Sequence, residues 1–315
     1  MKVIVFTNAR DEPHILEWIS HYLNLGFDHV FIYDHKSKIP ISSLIAPKNI
    51  SLVNRITITR LDDNIRNMKS TLMTRALDVS KDMGFDWMLY IDADEFLYLK
   101  NNDNIKTFLE HYKGYHQVGI NWLMFGTNFM NVEVEGTLLE KYTRSASELN
   151  RHIKSFVKPR YAKKPMNPHV YHMRGNLSIH CENKPLGPDP YFFETTTLPM
   201  DVTAYFAHYI HQAHDVYIKR KISLPRDDNG KFRIQLTETE LHQRNNEIIT
   251  LDMLKYNEQN NRMISVLKGD ADMVDYMYNE NQTNEVDTIA IEIIDNILDY
   301  IDPLQKSIKN IPIGV

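Results

Sequence analysis

A chain of 315 residues of which 43% are apolar is long enough for one large or two modest domains and too hydrophobic to remain unfolded. Its 36 lysines and arginines against 41 aspartates and glutamates leave a formal charge of −5, which argues against nucleic-acid binding driven by net charge. The single cysteine, Cys181, excludes an internal disulfide and a zinc site of paired thiolates, and no apolar run approaches the ~18 residues of a membrane span, so the expectation is a soluble, cytoplasmic protein.

The first hundred residues alternate short apolar runs with helical spacing. Residues 3–6 are all apolar, as in a strand buried on both faces of a sheet. A turn over residues 8–13 leads to Ile15, Leu16, Ile19, Tyr22 and Leu23, whose spacing of three and four marks one helix face, closed by Gly26. Residues 29–33 read as a second strand ending at Asp34. A third strand is expected around residues 50–58, a long helix over about residues 65–83, and a fourth strand over residues 86–91. Strands separated by such helices form βαβ units, so the predicted fold class is α/β, with a mixed, mainly parallel sheet flanked by helices. Sheets of this kind bind ligands beyond the carboxyl ends of their strands. Asn8, Arg10, Glu12 and Asp34 end the first two strands there and are candidate ligand-binding residues.

The fourth strand runs directly into Asp92-Ala93-Asp94-Glu95-Phe96. Two carboxylates one residue apart repel each other. A hard divalent cation, Mn²⁺ or Mg²⁺, removes that repulsion and keeps positions open for a diphosphate. Asp92 and Asp94 are therefore candidate metal ligands. An Asp-x-Asp triplet alone occurs often by chance; its position after a buried strand is what gives it weight.

Farther along, residues 141–184 are strongly basic, and residues 270–302 are acidic with no lysine or arginine. Residues 202–207 read as an apolar strand that brings His208 to a strand end, ahead of a helix holding Tyr217 and Lys219 to Lys221. A packed core histidine is the alternative reading of His208. From Glu238 to about Ile301 the pattern is helical. Ile289, Ile293, Ile297 and Ile301 recur every fourth residue, the stripe of a helix that packs on the first domain or joins two copies. The expected division is a first, α/β domain at residues 1–235 and a helical C-terminal extension at residues 236–315.

Taken in order, several of these segments resemble one family. Residues 8–12, Glu17-Trp18-Ile19, His21-Tyr22, residues 25–29, Ile32-Tyr33-Asp34 and Ser37 come first, then Trp87 with residues 91–96. Trp122 with Phe125-Gly126-Thr127, residues 154–159, His169, Ala207-His208-Tyr209, Tyr217 and Lys219-Arg220-Lys221 follow. Over roughly residues 1–225 the chain resembles glycosyltransferases related to families 2 and 92. The resemblance implies a GT-A fold that moves a sugar from a nucleotide diphosphate donor, a UDP-sugar foremost, to a glycan or other hydroxyl acceptor, with a divalent metal and with inversion. It also implies that a histidine from the C-terminal half completes the metal site, for which His208 is the candidate; imidazole suits Mn²⁺ better than Mg²⁺.

Such transfer places negative charge on the departing diphosphate, so Lys154, Lys219, Arg220 and Lys221 are candidate stabilising cations. The acceptor hydroxyl must lose its proton to a base within about 3 Å. Asp189, Glu194 and His169 lie in the acceptor-side half, and none is singled out. Trp122, Phe125, Tyr191, Phe192 and Phe193 are candidate sugar-stacking surfaces, although most aromatics serve the core. Three other classes compete: a phosphatase of the haloacid dehalogenase type, which would carry its Asp-x-Asp after the first strand with Thr or Val where this chain has Phe96; a non-catalytic sugar- or nucleotide-binding module, which would not hydrolyse donor; and a nucleotidyltransferase, which product analysis would reveal.

Overall fold

β1 (Val3–Ala9) has no residue facing solvent, so its Val, Ile and Phe side chains fill both sides of a sheet. In the computed structural model, which describes residues 1–46, 54–101, 104–175, 177–187, 190–226 and 230–270, β1 pairs in parallel with β2 (His29–His35). β3 (Ile56–Leu61) pairs in parallel with β2, and β4 (Trp87–Tyr90) pairs in parallel with the other side of β1. The expected start of the third strand falls partly in residues 47–53, outside the described residues.

Two helices make the crossovers. α1 (Ile15–Asn24) links β1 to β2 and is followed by Gly26 at φ 85°, a left-handed position that a Cβ would strain. α2 (Met68–Asp82) links β3 to β4 and begins later than the spacing suggests because Asn67 adopts φ 50°. Leu72, Met73, Ala76 and Leu77 of α2 pack on Ile4, Phe6, Phe31, Met88 and Tyr90. Each of the buried leucine, isoleucine, methionine and phenylalanine side chains among them contributes about 1.5–3 kcal/mol relative to exposure.

The remaining elements are β5 (Glu95–Leu99), α3 (Ile105–Glu110), β6 (Gln117–Met124), α4 (Leu138–Lys141), β7 (Arg144–Ser145), β8 (Asn150–Val157), β9 (Ala162–Pro165), β10 (Tyr171–Met173), β11 (Ser178–His180), β12 (Ala204–His208), α5 (His214–Tyr217), α6 (Glu238–His242), β13 (Ile248–Ile249) and α7 (Asn257–Lys268). The main sheet has the order β3-β2-β1-β4-β8-β6-β12-β5, with β11 as a ninth strand beside β6. β8 runs antiparallel to β4 and β6, and β5 antiparallel to β12; the other pairings are parallel. The mainly parallel α/β expectation holds.

This order forces curvature at the site. Between Tyr90 and Glu95 the chain can extend at most about 18 Å, yet β4 and β5 are separated by four strand spacings, about 19 Å in a flat sheet. Residues 92–95 instead form a turn, the Glu95 N–H donating to the Asp92 carbonyl at 3.1 Å, so the sheet curls and Asp92 to Asp94 bridge its mouth. α1 holds the far side of the bridge: the Trp18 indole N–H and the Tyr22 hydroxyl both donate to the Glu95 carbonyl, at 3.1 and 3.0 Å.

The described part of the C-terminal extension joins the same body, and Met1–Asp270 form one compact unit. The Tyr256 hydroxyl accepts from the Leu99 N–H at 2.9 Å, and the Ala46 N–H donates to the Leu267 carbonyl at 2.7 Å. The isoleucine stripe at 289–301 lies outside the described residues. Among the described residues no helix is long and apolar enough to cross a membrane.

Candidate active site

The C-terminal ends of β1 and β12 and the bridge after β4 open on a cleft of about 450 Å³, within the range of small-ligand sites. Its floor is Asp92 and Asp94. The repulsion expected between them is answered by the protein itself. Lys69 from the first turn of α2 and Lys154 from β8 both bond Asp92, Lys154 at 2.9 Å. Lys221 bonds Asp94, with Arg220 at 3.9 Å and the His208 Nε2 at 3.6 Å. Both cations lie in or beside a π-type turn, Ile218–Ile222, that continues α5. Arg220 also bonds Glu12.

The charges follow from burial and neighbours. Burial alone would raise the Asp92 carboxyl, but Lys154 and Lys69 outweigh it and hold it well below the usual range. Asp94 is likewise held well below, burial being overcome by Lys221, His208 and Arg220. Lys154 is itself buried, and Asp92 and Glu95 overcome that desolvation and raise its pKa. Glu95, fully buried beside both aspartates, is pushed well above its ordinary value by burial despite Lys154. Burial also raises Glu12, against the pull of Arg220.

The other wall is aromatic. Trp122 of β6 lies with its ring centroid 5.2 Å from His152, 5.1 Å from His169 and 4.6 Å from His208, and Tyr191 packs on His169 at 4.5 Å. His169 donates its Nδ1–H to the Ile153 carbonyl at 2.7 Å; burial and Lys154 lower its pKa to about 2.

The cleft thus brings together Asn8, Arg10, Glu12, Asp92, Asp94, Lys154, His169, His208 and Lys221. Asn8 accepts from the Tyr90 hydroxyl at 3.0 Å and from Lys69 at 3.3 Å. Other candidates stand elsewhere. Asp34 is absent from the cleft lining: its carboxylate accepts from the backbone N–H groups of Ser37 and Ile41 and from Arg60, closing the turn after β2. Lys219 is exposed on the π turn, outside the cleft lining. Glu194 is 77% exposed and pairs with Arg151 at 3.5 Å, and Asp189 lies outside the described residues.

Residues 4–249 match the sequence model of glycosyltransferase family 92. The chain belongs to glycosyltransferase family 92. No curated protein matches it. Among solved structures it is similar to a candidate glucose-1-phosphate thymidylyltransferase from Bacillus anthracis in complex with a sucrose, at 12% identity over 51% of this chain and 72% of that one, TM-score 0.29. It is also similar to a mycobacterial protein, at 17% identity over 39% and 41%, TM-score 0.27, and to A197 from STIV, at 15% identity over 53% and 71%, TM-score 0.26.

For this family 92 glycosyltransferase, the donor types at Asp92, Asp94 and His208 suit Mn²⁺ or Mg²⁺. Their arrangement is that of ion pairs: among the described residues no three His, Cys, Asp or Glu side chains converge on one point that would hold an ion. The residues that sequence reasoning missed had readable signals. Lys69 stands in the buried stripe of α2 with Leu72, Met73, Ala76 and Ser80, where a lysine is out of place unless paired. His152 is two residues from Lys154 on one strand and so shares its face.

Proposed function

We propose that this glycosyltransferase takes its sugar from a nucleoside diphosphate donor, a UDP-sugar foremost, and passes it with inversion to a hydroxyl of a glycan or other acceptor. The observation that supports this reading is the fixed cationic floor: Lys69, Lys154, Arg220 and Lys221 against the carboxylates of Asp92, Asp94 and Glu12, with Glu95 held towards its neutral form. Four cations against three carboxylates leave an excess of positive charge, and Arg226 and Arg233 add to it at the rim. When the bond from the anomeric carbon to the diphosphate breaks, its electron pair stays on the diphosphate oxygen. Ammonium and guanidinium groups already held in place meet that growing charge without reorganising, which favours the transition state over the ground state.

The metal-dependent part of the proposal is a Mn²⁺ or Mg²⁺ ion for which Asp92, Asp94 and His208 would exchange their present ion pairs; it would add further positive charge at the leaving group. The test is a set of thermal melts with UDP, GDP, CDP and ADP, each with Mn²⁺, with Mg²⁺ and with chelator. A ligand that binds only the folded protein raises the melting temperature by mass action. UDP should give the largest rise, Mn²⁺ should enlarge it, and Lys154→Met should abolish it. No rise with any nucleoside diphosphate in any condition would remove the donor assignment; a rise unaffected by chelator would remove the metal alone.

A further inference from the structure

We propose that His152 is the catalytic base that takes the proton from the acceptor hydroxyl, positioned by Asn150; this rests on the reading of the reaction as sugar transfer to a hydroxyl. His152 and Lys154 of β8 both line the cleft, and Asn150 stands two residues before His152 on the same strand. Lys154 reaches the floor at Asp92, and His152 forms the wall beside Trp122 and Tyr191. At this point the ladder with β6 breaks register between Asn121 and Trp122, an irregularity of the kind that re-aims side chains at functional sites.

The hydrogen bonds determine the tautomer. The backbone N–H of His152 donates to the Asn150 side-chain oxygen at 3.0 Å, which identifies that atom as an acceptor. The His152 Nδ1 lies 2.7 Å from the same oxygen and must therefore carry a hydrogen. Nε2 is left with its lone pair, and no described residue hydrogen-bonds it. Burial, with Arg151, His208 and Lys154 nearby, lowers the His152 pKa, so the ring is neutral at pH 7 and able to accept a proton.

The alternatives serve less well. Glu194 is exposed and paired with Arg151. His169, at a pKa of about 2, is a weak proton acceptor, since efficient bases titrate near the working pH. Glu12 and Asp94 are committed to Arg220 and Lys221.

In the step itself, the acceptor oxygen bonds to the anomeric carbon while its proton moves to His152 Nε2. The bond from that carbon to the diphosphate oxygen breaks, and the electron pair leaves on the diphosphate. The Asn150 oxygen stabilises the imidazolium through Nδ1–H, and the half-buried ring then returns the proton to water.

The experiment measures transfer from UDP-hexoses to methyl glycosides by the full chain and by His152→Gln and His152→Ala. The expected result is a fall in kcat of about 10²–10⁴-fold, with the melting-temperature rise given by UDP unchanged. Added imidazole should restore transfer to His152→Ala in proportion to its concentration, and 4-nitrophenol, an acceptor needing little help to deprotonate, should be used by the variants nearly as well as by the parent. A kcat within tenfold of the parent, or a loss that neither imidazole nor the acidic acceptor relieves, overturns the assignment while leaving sugar transfer intact. A parent chain that transfers to no hydroxyl overturns both.

Discussion

Glu95 carries an unusual burden for one side chain. It is fully buried, lies 3.5 Å from Lys154 and 4.0 Å from His208, and its Oε1 has no hydrogen-bond partner among the described residues. Because burial raises its folded pKa above the unfolded value, the unfolded chain loses this proton first as pH rises. The group therefore subtracts stability with increasing pH, at about 1.4 kcal/mol per pH unit between the two values. Glu95→Gln keeps the shape without the ionisable proton, so its melting temperature should match or exceed the parent's, with the advantage larger at pH 8 than at pH 5. A variant less stable than the parent at pH 8 would show that the charged form with Lys154 is the one the fold needs.

Among the elements, the end of β6 depends on a segment far along the chain. A Cβ at Gly126 would meet the Asn245 carbonyl at 2.4 Å and the Asn246 side chain at 2.5 Å. Asn246 is fastened there: it accepts from the Asn128 N–H at 2.9 Å, donates to the His242 carbonyl at 2.9 Å, and its own carbonyl accepts from Arg144 at 3.0 Å. The segment between α6 and β13 thus clamps β6 and β7. Gly126→Ala should cost about 1–3 kcal/mol by overpacking, while the floor, built from other elements, keeps its response to UDP. Thermal melts with and without UDP check this, and an unchanged melting temperature would deny the clamp.

At the scale of the molecule, three buried histidines are neutral in the fold. Burial lowers His21 to about 3, His169 to about 2 and His180 to about 4. The unfolded chain takes up their protons near pH 6.5, the folded protein only well below. The contribution of these histidines to stability is therefore full above about pH 6.5 and falls as pH drops toward 4, by about 1.4 kcal/mol per unit for each. Three together amount to about 4 kcal/mol per unit, a large share of the 5–15 kcal/mol typical of a folded domain. Acid unfolding followed by near-ultraviolet circular dichroism should have its midpoint between about pH 4 and 6; a native signal retained at pH 4 would mean these rings accept protons inside the fold.

Local pattern in the sequence determined the βαβ alternation, because periodicities of 2 and 3.6 report which face of each element is buried. With the rule that ligands lie beyond strand ends, that was enough to gather Asn8, Glu12, Asp92, Asp94 and His208 into one cleft, to which the family resemblance added Lys154 and Lys221. Tertiary structure alone decided what those residues face. Asp34 also ends a strand, yet Ser37, Ile41 and Arg60 take up its carboxylate. Lys69 and His152 come from a helix and an antiparallel strand distant in sequence from the aspartates, and the sheet must curl before they meet. Periodicity encodes the orientation of a side chain on its own element, whereas the partner that neutralises a carboxylate is chosen by which elements pack together, a property of the whole chain.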